Sequence, residues 1–303
     1  MTPTLRHHLP HGIELSCHVS GPPGRPVLLF LRGFPEGAFA WDALLSHFAA
    51  PEHGAYRCVA PNLRGFADSS APSEVSAYRA KHLMQDVLAL IDAEAGDQPL
   101  AALVAHDWGG ALAWNLANAH PQRMSRLAIL NAPHPGLFWR ALREDPAQQA
   151  ASAYMNFLIR ADAEALLSQD DFKKLWSFAF EEVSARGPSC AWLDANMRQH
   201  YRRVWSQGLT GGLNYYRASP LRPATPDDPA AMGVEGDEEH ARQHQDEQYP
   251  LPGEASHARP SVDPSGVRIS PRHPRRTRCA THRCSRGRDR IRGRRSRGAP
   301  GRC

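Results

Sequence analysis

Ala105-His106-Asp107-Trp108-Gly109-Gly110 is the stretch of this chain whose residue types and spacing could do chemistry. It follows the apolar run at residues 100–104 and precedes a helix-like segment at 111–117. A buried strand that turns at once into a helix needs small residues around the turn. Ala105, Gly109 and Gly110 supply them, so Asp107 would stand exposed at the tip of a nucleophile elbow. A carboxylate there attacks carbon in an electrophile such as an epoxide or alkyl halide and leaves an alkyl-enzyme ester. Water must then cleave that ester, which calls for a general base, normally a histidine oriented by an acid late in the chain. Asp107 is also open to a structural reading as a helix N-cap, against which stand the tryptophan and two glycines that follow it. His106 shapes the pocket or packs beside the elbow, because adjacent strand residues point to opposite faces.

The elements that must position Asp107 read as alternating β and α. Residues 13–19 alternate like a half-buried strand, and Gly21-Pro22-Pro23-Gly24 is a turn. The continuous apolar run at 27–31 marks a strand buried on both faces, as in a parallel sheet. It ends in Arg32-Gly33-Phe34-Pro35, before a helix at 38–48. A strand at 56–60 and a helix at 78–95, with Leu83, Val87, Leu90 and Ile91 on one face, lead to the elbow strand, and a further strand follows at 127–130. This order predicts an α/β fold with a doubly wound, mainly parallel sheet. From Leu137 to about Tyr216 the pattern is helical and rich in aromatics, which predicts a lid over the carboxyl ends of the strands, where ligands bind in open α/β sheets. His134, in Pro133-His134-Pro135 at the entry to that segment, is expected to be structural. The predicted organisation is core at 1–136, helical lid at 137–218 and an atypical, arginine-rich and disordered tail at 219–303.

The net charge of +5 over 303 residues averages two unlike parts. Residues 267–303 hold fourteen arginines and one aspartate, a balance of +13 that leaves −8 on the remaining 266 residues. Between Gly233 and Cys303 the only aromatic is Tyr249, and such a segment cannot bury enough surface to fold by itself. A sheet of this kind should instead continue there with strands carrying the late acid and histidine, so the C-terminal third of the core reads as missing. A frameshift near residue 233 would account for this, with a genuine new tail as the alternative: read one nucleotide later, codons for His240-Ala241-Arg242-Gln243-His244-Gln245-Asp246 permit Met-Leu-Val-Asn-Ile-Lys followed by Met. Cys279 and Cys284 with His273 and His282 fit no standard zinc spacing, so neither a metal nor a cofactor is expected. The arginine run lacks aromatic interleaving, and no specific nucleic acid is expected. Cys17, Cys58 and Cys190 are scattered as in a reducing compartment. Residues 1–20 lack an apolar stretch and no run spans a bilayer, so a cytoplasmic protein without membrane contact is the expectation.

Over about residues 1–226 the chain resembles the epoxide hydrolase branch of the α/β-hydrolase fold. Four stretches carry the resemblance: His106-Asp107-Trp108-Gly109-Gly110; Gly33-Phe34-Pro35-Glu36 after a buried strand; Pro61-Asn62-Leu63-Arg64-Gly65-Phe66 with Asp68 and Ser69; and Leu213-Asn214-Tyr215-Tyr216-Arg217. The resemblance implies that Asp107 is the nucleophile and that the backbone N–H groups of Phe34 and Trp108 form an oxyanion hole. It further implies that Pro35 and Trp108 line the substrate site, and that Tyr154 and Tyr216 donate hydrogen bonds to the epoxide oxygen. A phenol suits that task, being acidic enough to protonate a developing alkoxide while neutral at pH 7. As core aromatics, both tyrosines would have a plain packing role instead.

Two positions depart from the pattern. Arg32 stands where the branch usually has histidine, and the late acid and histidine have no counterparts. Asn131 cannot supply a carboxylate from the alternative position some dehalogenases use, and His257 is the least unsuitable histidine although no apolar strand precedes it. The expectation is therefore an impaired hydrolase acting on a small-molecule epoxide, with a stalled alkyl-enzyme as its extreme form. A haloalkane or haloacetate dehalogenase acting on an organohalide, and a noncatalytic protein whose basic tail binds an acidic partner, are the alternatives.

Overall fold

All five residues of β3 (Val27–Leu31), an unbroken apolar run, and all five of β4 (Arg57–Pro61) are buried, as strands in a covered parallel sheet are. In this computed structural model, which describes residues 2–185 and 192–224, they form the middle of a six-stranded sheet. Its other members are β1 (Thr4–His8), β2 (Glu14–Ser20), β5 (Ala102–His106) and β6 (Leu127–Leu130). The order is β1-β2-β4-β3-β5-β6. β1 and β2 run antiparallel, as do β2 and β4, whereas β4, β3, β5 and β6 are mutually parallel. The expected doubly wound, mainly parallel sheet is thus present, with an antiparallel β1–β2 pair at one edge of which the sequence pattern predicts only β2.

From β3 the chain steps outward to β4 and then returns across β3 to β5. That reversal is the topological switch point, and it opens a crevice beyond the carboxyl ends of β3 and β5. The helices α1 (Asp42–Ala49), α2 (Ala80–Ala95) and α3 (Trp108–Ala119) cover the sheet. On α2 the predicted stripe of Leu83, Val87, Leu90 and Ile91 is buried, as spacing near 3.6 demands. At the other edge β6 is only half covered, and Leu130 is 45 % exposed.

Between residues 135 and 218 the described chain is helical, comprising α4 (Pro135–Glu144), α5 (Pro146–Ala151), α6 (Tyr154–Leu158), α7 (Ala163–Ala185), α8 (Ala195–Ser206) and α9 (Thr210–Ala218). α7 is interrupted at Gln169, and Asp170, Asp171 and Phe172 take positive φ. These helices are tied to the loops leaving β3 and β4. Trp205 Nε1 donates to the Pro35 carbonyl at 2.7 Å and the Tyr215 hydroxyl donates to the Arg64 carbonyl at 2.8 Å. None of the described helices is long and apolar enough to cross a membrane.

Two glycines set how closely α9 seats. A Cβ on Gly211 would lie 2.3 Å from the Gly65 carbonyl oxygen and 2.4 Å from its Cα, both backbone atoms. Gly65 itself sits at φ +86, where a side chain is strained. Gly211→Ala is therefore expected to destabilise the protein by about 1–3 kcal/mol, the range for forced overpacking, read as a lower urea midpoint. An unchanged midpoint would mean that α9 can lift without loss.

Candidate active site

Asp107 links β5 to α3 with φ 56 and ψ −130, a positive φ rare outside glycine. It occupies the N-cap position of α3, yet its side chain makes no capping bond, so the carboxylate is not used to finish the helix. Three glycines make the turn possible by close approach. A Cβ on Gly33 would meet Asp107 Oδ1 at 2.0 Å and Trp108 N at 2.5 Å; one on Gly109 would meet the Leu31 carbonyl carbon at 2.6 Å; and one on Gly110 would meet Ala132 Cβ at 2.4 Å. The start of α3 is thereby pressed onto the end of β3, which brings the Gly33-Phe34 loop over the carboxylate.

Burial pushes the Asp107 carboxyl up to about 6, against the pull of the Trp108 N–H, the Arg32 guanidinium and the Phe34 N–H. Its Oδ1 is buried without a hydrogen-bond partner among the described residues. The two backbone donors expected to form an oxyanion hole thus both act on this carboxylate. Beside it, burial and then the charge of Arg32 lower the His106 imidazole to about 4. His106 is a neutral ring at pH 7.

Tyr216 and Tyr154 feel the same carboxylate. Burial, then the charge of Asp107, raises the Tyr154 phenol to about 12. Tyr216 is raised well above its usual value by burial, by Asp107 and by Tyr154, while a side-chain hydrogen bond with Trp108 opposes the shift. Both are neutral phenols at any working pH. Their rings lie 6.4 Å apart, and Tyr216 meets Trp108 edge-on at 5.1 Å and Phe34 at 5.9 Å. Tyr216 is buried, whereas Tyr154 is 39 % exposed.

Tyr216 is held firmly. Gly212 lets Phe34 approach, since a Cβ there would lie 2.6 Å from the Phe34 ring. Arg217 pairs with Glu164 through both nitrogens at 2.6 and 2.7 Å and donates to the Arg160 carbonyl at 2.8 Å. The Pro61-Phe66 loop serves as the seat. Arg64 makes a buried pair with Asp86 at 2.8 and 2.6 Å, while its carbonyl receives the Tyr215 hydroxyl. Asn62 Oδ1 accepts from the Ala38 N–H at 2.8 Å.

The structure thus brings Phe34, Asp107, Trp108, Tyr154 and Tyr216 together. Pro35 is buried beside them, with its carbonyl taken by Trp205. His134 caps α4, accepting from the Gly136 N–H at 3.2 Å, in keeping with a structural role. His257, Tyr249, Cys190 and the distal Cys279, Cys284, His273 and His282 lie outside the described residues, as does the tail from 225. Among the described residues no group of three or more His, Cys, Asp or Glu could hold a metal.

Sequence reasoning missed Phe178, whose ring lies 5.2 Å from Tyr154 and 6.3 Å from Phe34. It also missed a polar chain from Arg32 through Glu36 to Tyr201. A cavity of about 600 Å³ opens beside Arg32, walled by Phe39, Trp41, Trp192, Met197 and Tyr201. Asp107 is not among the residues lining it, so the chemistry-bearing residues lie outside this cavity.

Residues 26–234 match the family of the alpha/beta hydrolase fold. Epoxide hydrolase 4 of Mus musculus is 32 % identical over 68 % of this chain and 56 % of its own length. The epoxide hydrolase of Caballeronia sordidicola is 32 % identical, over 68 % of each chain. Among solved structures, one of the novel epoxide hydrolases from metagenomes of hot environments superposes with a TM-score of 0.62 at 36 % identity, over 76 % of this chain and 74 % of that one. The Bacillus megaterium epoxide hydrolase in complex with an inhibitor gives 0.62 at 29 % identity, over 71 % of each. The chain spans only about half the length of the first curated relatives it matches.

Proposed function

We propose, for a chain that belongs to the α/β-hydrolase family and to its epoxide hydrolase branch, that it opens a small-molecule epoxide through an aspartyl alkyl-enzyme ester. The observation that carries this reading is that the Tyr216 ring meets Trp108, the residue after the buried Asp107, at 5.1 Å and the Tyr154 ring at 6.4 Å, which gathers two phenols about one carboxylate. An Asp107 oxygen attacks an epoxide carbon, the ring C–O bond breaks, and the departing oxygen takes a proton from a tyrosine hydroxyl. Phe34, Trp108 and Phe178 supply aromatic walls for the carbon skeleton, with Pro35 buried beside them. In the ester, the N–H groups of Phe34 and Trp108 are the donors for the oxyanion of its hydrolysis. Helices α4–α9 act as the lid, and the core, lid and tail divide at 136 and 218.

Intact-protein mass spectrometry after exposure to an aryl epoxide tests the reading. The expected result is an adduct of epoxide mass that forms at pH 8, and roughly 100-fold more slowly in Tyr216→Phe, toward the lower end of what a placed general acid contributes. Tyr154→Phe is expected to slow it in the same direction. Adduct formation at an unchanged rate in both variants would sink the epoxide chemistry, and alkylation by an alkyl halide with halide release would favour the dehalogenase reading instead.

A further inference from the structure

Arg32 takes the place after β3 where the resembling branch usually carries histidine, and its surroundings give that exchange a use. In the register of β3 on β5, Leu31 stands opposite Ala105, so Arg32 leaves the end of β3 beside the elbow strand, and its charge acts on His106, one residue from the elbow. Its side chain is four-fifths buried. One end of the guanidinium is ion-paired with Glu36, and the Arg32 Nε is buried without a partner among the described residues. The guanidinium also lies over the Trp41 ring at 5.8 Å. Glu36 is itself buried, and the Tyr201 hydroxyl, from α8, donates to its other oxygen. Arg32 is thus a charge fixed beside the crevice, and its strength is set by a carboxylate that another helix pins in place.

We infer that Arg32 is a positioning residue for the Asp107 carboxylate, holding it in its anionic form, and that Glu36, steadied by Tyr201, limits how strongly it does so. Buried opposite charges couple far more strongly than exposed ones. The mutual influence of Arg32 and Asp107 runs both ways: each favours the charged form of the other. The other titratable groups facing Asp107 are the phenols Tyr154 and Tyr216, neutral at working pH, and the neutral His106. Among the described residues that act on this carboxylate, Arg32 is the one cation. The benefit to chemistry rests on reading Asp107 as the nucleophile, since a buried carboxyl is a nucleophile only once ionised. The electrostatic coupling does not rest on it.

The test is a carbon-13 NMR titration of the full chain labelled at aspartate carboxyl carbons, with Asp107→Asn identifying the resonance and circular dichroism checking the fold. It needs no substrate, so its outcome is separable from that of the epoxide reading. Arg32→Met is expected to move the Asp107 midpoint up by about one unit or more, the usual size for removing an adjacent opposite charge, and Arg32→Lys to hold it near the wild-type value. Glu36→Gln, which keeps the acceptor for Tyr201 but removes the neutralising charge, is expected to move it down. Opposite shifts from two residues of one ion pair are not produced by loosened packing. An Arg32→Met midpoint equal to wild type overturns the inference. So does a Glu36→Gln midpoint that stays or rises, and this second variant decides alone should Arg32→Met fail to fold.

Discussion

An Asp107→Asn protein is expected to form no alkyl-enzyme ester and yet to resist urea better than wild type at pH 8. The first half follows from the reading of Asp107 as nucleophile, since an amide has no anionic oxygen to attack with. The second follows from burial. The folded carboxyl is raised from 3.8 to about 6, so the native state holds its proton more tightly than the unfolded chain does. Between those values stability falls as pH rises, because the unfolded chain ionises first; above about pH 6 the full cost of the buried charge is present. A shift of about two units corresponds to about 3 kcal/mol. Asparagine keeps the shape, tolerates positive φ as aspartate does, and bears no charge. The variant should therefore gain about 3 kcal/mol at pH 8 and lose that advantage as pH falls below 4, read from urea midpoints at the two pH values. Equal midpoints at pH 8 would show that Arg32 and the two N–H donors compensate the carboxylate fully.

That trade explains what was legible in the sequence. A strained turn carrying a charge into a buried crevice requires small neighbours, and Ala105, Gly109 and Gly110 are adjacent in sequence, so the elbow could be read directly. The buried run at 27–31 and the α2 stripe were equally plain, because period and burial are local properties. The antiparallel β1 was not: Thr4–His8 is short and mostly exposed, with no apolar alternation to reveal it. Nor was the break in α7, where Asp170 and Asp171 turn left-handed inside a stretch that otherwise reads as helix. The site suffered the same division. Tyr216 came with a recognisable surrounding motif, whereas Phe178 lies on a helix face that looks like ordinary packing. The Arg32–Glu36–Tyr201 chain joins residues 165 positions apart, and only tertiary structure could bring them together.

Gly33 is where local and distant constraints meet, and Gly33→Ala should be among the most damaging small substitutions in the chain. Its Cβ would stand 2.0 Å from Asp107 Oδ1 and 2.5 Å from Trp108 N. The carboxylate could swing away, but the backbone nitrogen belongs to the first turn of α3, which Gly109 and Gly110 already press against β3 and Ala132. Relief must come from the loop moving off the elbow, which carries the Phe34 N–H away from the carboxylate. Displacements near 1 Å can cost about 100-fold in rate, so alkylation by an aryl epoxide should slow by at least about that factor. The overpacking should also cost about 1–3 kcal/mol, a loss like that of Gly211→Ala. The two variants differ in what else they disturb. Gly211→Ala leaves the Phe34–Asp107 approach in place and should retain the wild-type Asp107 midpoint, whereas Gly33→Ala withdraws a donor that favours the anion and should raise it. A Gly33→Ala protein that alkylates at the wild-type rate would mean that the Gly33-Phe34 loop does not govern the carboxylate.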